Sequence, residues 1–311
     1  MPDDRLLSKA SLSDVRAELQ ARAAAKAASE KSPFKDVGTS ELVNKLLIEE
    51  RVIYGVDDRK DFYDFPNAGV KNLASGVAAL FLDSDISANA DGTSTLSTEL
   101  LGIRRNLCTS ERFREQPAGA FCSGFLLAAD IVATAGHCID AGNVTAVRFV
   151  FGFRMENATT PVTRIPNGDI YSGKAMIGRV EQGDGADWAL VRLDRPVTGH
   201  TILQIRRSGR IADGAAVSVI GHPSGLPIKF ADGSTVRDNT PTAFFVANLD
   251  TYGGNSGSPV FGADGVVEGI LVRGETDYVS AGSCTVSKIC PSTGCRGEDC
   301  TRITELASHL P

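Results

Sequence analysis

Three short segments carry residue types that could do nucleophilic chemistry. Ala133-Thr134-Ala135-Gly136-His137-Cys138 follows the apolar Ile131-Val132 and sets a histidine at the end of a strand, among small residues. Gly185-Ala186-Asp187-Trp188-Ala189-Leu190-Val191 puts a carboxylate just before a run apolar enough to be buried. Tyr252-Gly253-Gly254-Asn255-Ser256-Gly257-Ser258-Pro259 surrounds Ser256 with glycines, which allow a tight turn and let backbone N–H groups point into a cleft. A serine hydroxyl is a weak nucleophile; it needs a base within hydrogen-bond reach, and the base needs a group that fixes its tautomer. His137 and Asp187 fill those roles in the chain order His, Asp, Ser, and the amides of Gly254 and Ser256 are the expected oxyanion hole. Taken singly, each segment has an ordinary reading: a serine in a glycine turn is usually only a turn, and a lone buried histidine is usually a core residue. The conjunction carries the chemistry. Asp184 and Asp194 compete for the acid role, and Asp187 is preferred because the strand after it would bury it.

The elements that position these residues are short apolar runs bounded by Gly, Asp-Gly, Asn or Pro. They include 76–82, 121–127, 146–151, 188–193, 216–220, 243–247 and 266–272. Such spacing predicts an all-β sandwich or barrel set from Val52 onward, with a short helix near Thr301 to Leu310 closing the chain. The first 51 residues differ. Ser11 to Lys31 is rich in strong helix formers, with Ser11 or Ser13 as cap, and Ser40 to Arg51 predicts a second helix. A helical linker and a pro-segment both fit residues 1–51; residues 52–311 form the second domain.

Composition removes several classes. The chain is 42% hydrophobic and 23% charged, too apolar for a disordered chain. Its best apolar stretch, Gly124 to Gly136, is broken by Asp130, so no membrane span is expected. With 32 basic against 38 acidic residues and no Lys/Arg run, nucleic acid is not an expected partner. The seven cysteines (108, 122, 138, 284, 290, 295 and 300) show no paired C-x-x-C, which disfavours zinc and favours disulfides in an oxidising compartment. Met1-Pro2-Asp3-Asp4-Arg5 lacks the apolar core of a signal peptide. A secreted or periplasmic protein is expected, its signal not present in this chain.

The three motifs resemble those of chymotrypsin-fold serine endopeptidases, in particular the bacterial glutamyl-endopeptidase (staphylococcal V8-like) group. The resembling residues are Thr134-Ala135-Gly136-His137-Cys138, Asp187-Trp188-Ala189-Leu190 and Gly254-Asn255-Ser256-Gly257-Ser258-Pro259. Val52-Ile53-Tyr54-Gly55-Val56-Asp57-Asp58-Arg59 looks like the start of the mature chain in that group. The resemblance implies two six-stranded antiparallel β-barrels with the active site in the cleft between them. It also implies a catalytic triad of His137, Asp187 and Ser256, and a Cys122–Cys138 disulfide pinning the histidine loop. Cys284, Cys290, Cys295 and Cys300 are expected to staple a C-terminal loop, with Cys108 joining one of them in some connectivities. Protein or peptide substrates are implied, with residues 1–51 as a partner in cis, no cofactor or metal, and a monomer.

The sequence departs from the pattern in two places. Asn255 stands where animal trypsins carry the aspartate that pairs with the new N-terminus on activation. Glutamyl endopeptidases hold the substrate carboxylate with a hydroxyl five residues before the nucleophile and a histidine fifteen after it. Here those positions are Thr251 and Leu271. Arg273, two further along, is expected by strand alternation to share the side of Leu271 and to supply the cation for an acidic substrate side chain. The expected function is a secreted serine endopeptidase made as a zymogen, with an acidic preference. The competing class is a catalytically silent homologue that binds or adheres. Too few residues follow Ser256 for the peptide-binding domain of the high-temperature-requirement proteases.

Overall fold

The computed structural model describes residues 33, 53–55, 57–274, 277–291 and 294–310. The expected helices at 11–31 and 40–51 and the boundary at 51/52 lie outside the described residues. Helix α1, Ala68–Ser75, leads into the first barrel; the Asn67 side chain accepts the Val70 N–H and caps it.

Six strands follow: β1 (Val77–Leu82), β2 (Cys122–Ala128), β3 (Ile131–Thr134), β4 (Val147–Phe151), β5 (Ile170–Glu181) and β6 (Asp187–Leu193). They close antiparallel in the order β1-β2-β3-β6-β5-β4 and back to β1. The interior is apolar, with Leu80, Phe125, Val132, Phe149 and Leu190 excluded from solvent. Two register shifts in the twelve-residue β5 supply the local bending that a closed barrel needs.

The second barrel uses β7 (Ala216–Gly221), β8 (Lys229–Asp238), β9 (Phe244–Ala247), β10 (Pro259–Gly262), β11 (Val267–Arg273) and β12 (Glu298–Arg302). Its order, β7-β8-β9-β12-β11-β10 and back to β7, repeats that of the first barrel. The structure therefore has the two six-stranded antiparallel barrels. Helix α2 spans Thr304–Ala307, because residues 301 and 302 still belong to β12.

Three disulfides join Cys108 to Cys284, Cys122 to Cys138, and Cys290 to Cys295. Cys300 stands outside them as a buried thiol. No helix among the described residues is long and apolar enough to cross a membrane.

Candidate active site

His137 leaves the end of β3 through a single 3-10 turn, Gly136–Cys138. Position 136 must be glycine: a Cβ there would come within 2.9 Å of Asp187 Oδ1 and would overlap the Val180 carbonyl. The loop is clamped from two sides. Arg179 Nε donates to the carbonyls of Gly136 (2.7 Å) and Ile139 (2.9 Å), and Cys138 is tied to Cys122 on β2.

Asp187, the first residue of β6, meets His137 with both oxygens. Oδ2 lies 2.6 Å from Nδ1, and Oδ1 accepts the His137 backbone N–H at 3.1 Å. Both side chains are buried. The Asp187 backbone N–H donates to Thr301 Oγ1 on β12 at 3.0 Å, so the pair is anchored in both barrels. Burial alone would raise the Asp187 carboxyl. The charge and hydrogen bonds of His137, with the Arg273 guanidinium nearby, outweigh it and hold the carboxyl below the usual range. The rival aspartates are elsewhere: Asp184 is exposed, and Asp194 accepts the Ser172 N–H and pairs with Arg195.

Ser256 lies in the loop between β9 and β10, the second-barrel counterpart of the histidine loop between β3 and β4. Its carbonyl accepts the Ser123 N–H from β2 at 2.8 Å, and Ser123 Oγ donates to the Gly254 carbonyl at 3.0 Å. These bonds bring the serine loop against the strand that carries the Cys122–Cys138 bridge. Gly254 and Gly257 have φ of +92° and +86°, which side chains rarely adopt, and a Cβ at 257 would overlap the Ser123 carbonyl. The flanking amides are committed: Gly253 N–H to Asp277 Oδ2 (2.9 Å), Asn255 N–H to the Tyr252 carbonyl (3.0 Å) and Gly257 N–H to the Leu271 carbonyl (2.8 Å). His137 Nε2 carries no hydrogen bond in this structure, so the ring is held through Nδ1 alone. Cys122, His137 and Cys138 bring three metal-ligating atoms together, but the two sulfurs are bonded to each other and cannot act as thiolates.

The specificity candidates are placed differently from expectation. Leu271 is fully buried in the second-barrel core. Thr251 is also fully buried and donates to Glu298 Oε2 at 3.2 Å. Arg273 pairs with Asp299 at 3.1 Å and donates to the Gly185 carbonyl at 2.8 Å. The alternation argument fails because the strand is bulged: Leu271 faces Cys300 while Arg273 faces Asp299, two residues against one. His200, which reads as a solvated residue in the sequence, bonds Ser75 O and Asp169 and stacks on Phe151. His222, which reads in the sequence as a loop residue beside the second barrel, opens the turn His222-Pro223-Ser224-Gly225 directly after β7. Its Ser224 N–H donates to the Gly253 carbonyl and so backs the glycines before Ser256. Its signal is local, a Pro and Gly beside a histidine after an apolar strand.

Residues 122–270, which contain His137, Asp187 and Ser256, match the family described as the trypsin-like peptidase domain. The trypsin-like protease of Streptomyces glaucescens is 26% identical over 165 residues, covering 46% of this chain and 59% of the relative. The chain thus spans about three fifths of the length of that curated relative. Solved structures of HBP at atomic resolution and of human heparin binding protein each align at a TM-score of 0.47. Both are 16% identical, over 76% of this chain and 90% of theirs. Over residues 122–270, this chain is similar to the trypsin-like peptidase domain.

Proposed function

We propose that the chain is a secreted serine endopeptidase that hydrolyses peptide bonds through an acyl-enzyme. The observation that carries this reading is the buried, two-point bond between His137 and Asp187, set against the strand to which the Ser256 loop is bonded. Asp187 fixes the tautomer with the proton on Nδ1 and leaves Nε2 as the base. Ser256 Oγ attacks the peptide carbonyl as His137 takes its proton. The amides of Gly254 and Ser256 hold the developing oxyanion. His137 then protonates the leaving amine, and water repeats the sequence on the ester. Bond cleavage needs no cofactor in this scheme.

Three disulfides support export to an oxidising compartment. Residues 1–51 act as a pro-segment released before Val52. Support comes from the entry to the protease domain: Ile53–Tyr54 pairs with Ile289–Cys290, and the Tyr54 N–H donates to Asp250, six residues before Ser256. Ile53 and Tyr54 are therefore joined to the segment that leads into the serine loop. The preference for acidic residues finds no support in the site, because its cation, Arg273, is held by Asp299 and Gly185. The intact His137–Asp187 pair speaks against a silent binding homologue.

The test is Ser256→Ala. It should lower kcat on a casein or peptide digest by about 10⁶-fold and abolish labelling by a fluorophosphonate, with an unchanged circular dichroism spectrum. Peptidase activity that survives in Ser256→Ala sinks the reading.

A further inference from the structure

The chain entry buries an arginine against the start of the serine loop. Arg59 is 3% exposed, and Asp57 fixes its guanidinium through two bonds, Nε to Oδ1 and Nη2 to Oδ2, both 2.8 Å. Arg112 completes the corner. It pairs with Asp57 at 3.1 Å and donates to the carbonyls of Asp57 (2.7 Å) and Arg59 (2.8 Å). Arg59 Nη1 has no hydrogen-bond partner among the described residues. The guanidinium instead lies over two aromatic rings, 4.1 Å from the centroid of Tyr252 and 5.1 Å from that of Phe113. Phe113 has a φ of +60°, which a bulky residue adopts only where its surroundings impose it. A desolvated arginine is drawn to the face of a ring by the ring quadrupole.

Tyr252 opens the serine loop, and its carbonyl accepts the Asn255 N–H at 3.0 Å, which ties it to the turn that carries Ser256. Its ring stacks on that of Tyr278, with centroids 4.8 Å apart and planes within 10°. Tyr278 shares a hydrogen bond with Ser224 Oγ (2.9 Å), and the Ser224 N–H holds the Gly253 carbonyl. Asp277, the residue before Tyr278, accepts the Gly253 N–H (2.9 Å). Both polar groups of Gly253 are thus held by the segments on which Tyr252 rests. The next residue is Gly254, whose amide belongs to the oxyanion hole of the scheme above. Such an amide acts only if it is in place before the charge develops.

We propose that Arg59 is a positioning residue whose guanidinium fixes Tyr252 and, through it, the Gly254 amide. This rests on the serine endopeptidase reading above. The experiment compares Arg59→Met, Arg59→Lys, Tyr252→Leu and the Arg59→Met/Tyr252→Leu double variant with the wild-type full chain, before and after limited cutting by immobilised trypsin. Fluorophosphonate labelling to completion counts the sites, and kcat and KM on one peptide are taken per labelled site. Arg59→Met should lower kcat about thirtyfold, the worth of one desolvated cation–π contact, with KM unchanged. Arg59→Lys keeps the charge but not the planar fork and should recover part of the loss. Tyr252→Leu should lose a similar factor, and the double variant no more than the worse single one, because the two side chains act as one unit. An Arg59 that only stabilises the fold would lower the urea midpoint and the number of labelled sites and leave kcat per site at the wild-type value. That result overturns the proposal, and so does an additive loss in the double variant. If Arg59→Met yields no folded protein, Tyr252→Leu decides, and a wild-type kcat per site in it overturns the proposal while the labelled Ser256 keeps the serine chemistry. A wild-type chain that neither digests nor labels overturns both.

Discussion

The two barrels share one strand order and differ in what they bury. On the six strands of the first, Asp187 is the one buried charged residue. On the six strands of the second there are five: Lys229, Glu268, Glu298, Asp299 and Arg302. All five have partners. Glu298 accepts from Thr251 Oγ1 (3.2 Å). Lys229 bonds Asp61 (2.5 Å) and Gln116 (2.8 Å), Glu268 takes Arg206, and Asp299 takes Arg273. Arg302 donates to the carbonyls of Thr242, Pro241 and Asn239. Buried pairs of this kind add little net stability, because desolvation offsets the attraction; their use is to specify an arrangement. The first barrel therefore acts as an apolar platform that fixes His137 against Asp187. The second spends buried polarity on holding a loop and shaping what lies beside it.

This division predicts where damage falls. The largest effect should come from the lone charge of the first barrel. Asp187→Asn keeps the shape but favours the wrong His137 tautomer, and kcat should fall about 10⁴-fold with little change in KM. Steady-state kinetics on one peptide decides it, and a loss below tenfold would mean that another group orients the histidine. Next comes the Cys122–Cys138 bridge, whose partners are 16 residues apart. Replacing both cysteines by alanine should destabilise the protein by about 3 kcal/mol, from the closure of a loop of that length. Urea unfolding measures this. An equal midpoint with and without the bridge would show that Arg179 and the barrel alone hold the histidine loop.

The same asymmetry explains what was legible in the sequence. The apolar runs 76–82, 121–127, 146–151 and 188–193 fall on β1, β2, β4 and β6, because a barrel wall buried on its inner face and covered in part outside leaves few polar positions. The His, Asp and Ser segments were visible for the same local reason, small residues and glycines at turns that admit no Cβ. The strand β12 was not. Glu298-Asp299-Cys300-Thr301-Arg302 is polar in letters and buried throughout, since its charges are satisfied by residues distant in sequence. No hydropathy window can find a strand whose burial depends on ion pairs. β5 escaped through its half-exposed, mixed composition, and the bulge at Leu271/Arg273 defeated simple alternation. Beyond the expected Cys122–Cys138 bridge, the cysteine connectivity was left open: Cys108 and Cys284 are 176 residues apart and meet only because the fold brings them together.

His222 offers a finer test, because it sits on the seam between the two barrels. Its backbone N–H donates to Ser123 Oγ of the first, while it directly follows β7 of the second. The ring is buried, stacks on Phe153, and donates from Nδ1 to the Leu226 carbonyl at 2.9 Å. Burial, opposed by that bond and aided by the Lys229 charge, lowers its pKa from 6.5 to about 3. In the unfolded chain the ring takes a proton near 6.5, and in the folded chain it resists until about 3. Between those values the unfolded state binds more protons. The stabilisation from a neutral His222 is therefore complete above about pH 6.5 and is lost as pH falls toward 3, with a slope of at most about 1.4 kcal/mol per pH unit. His222→Asn keeps a donor for Leu226 and removes the titration. Its urea midpoint should fall less steeply than that of the wild-type chain between pH 7 and pH 4. Parallel profiles would mean that acid lability belongs to the carboxylates of the second barrel, and that the seam takes no part in it.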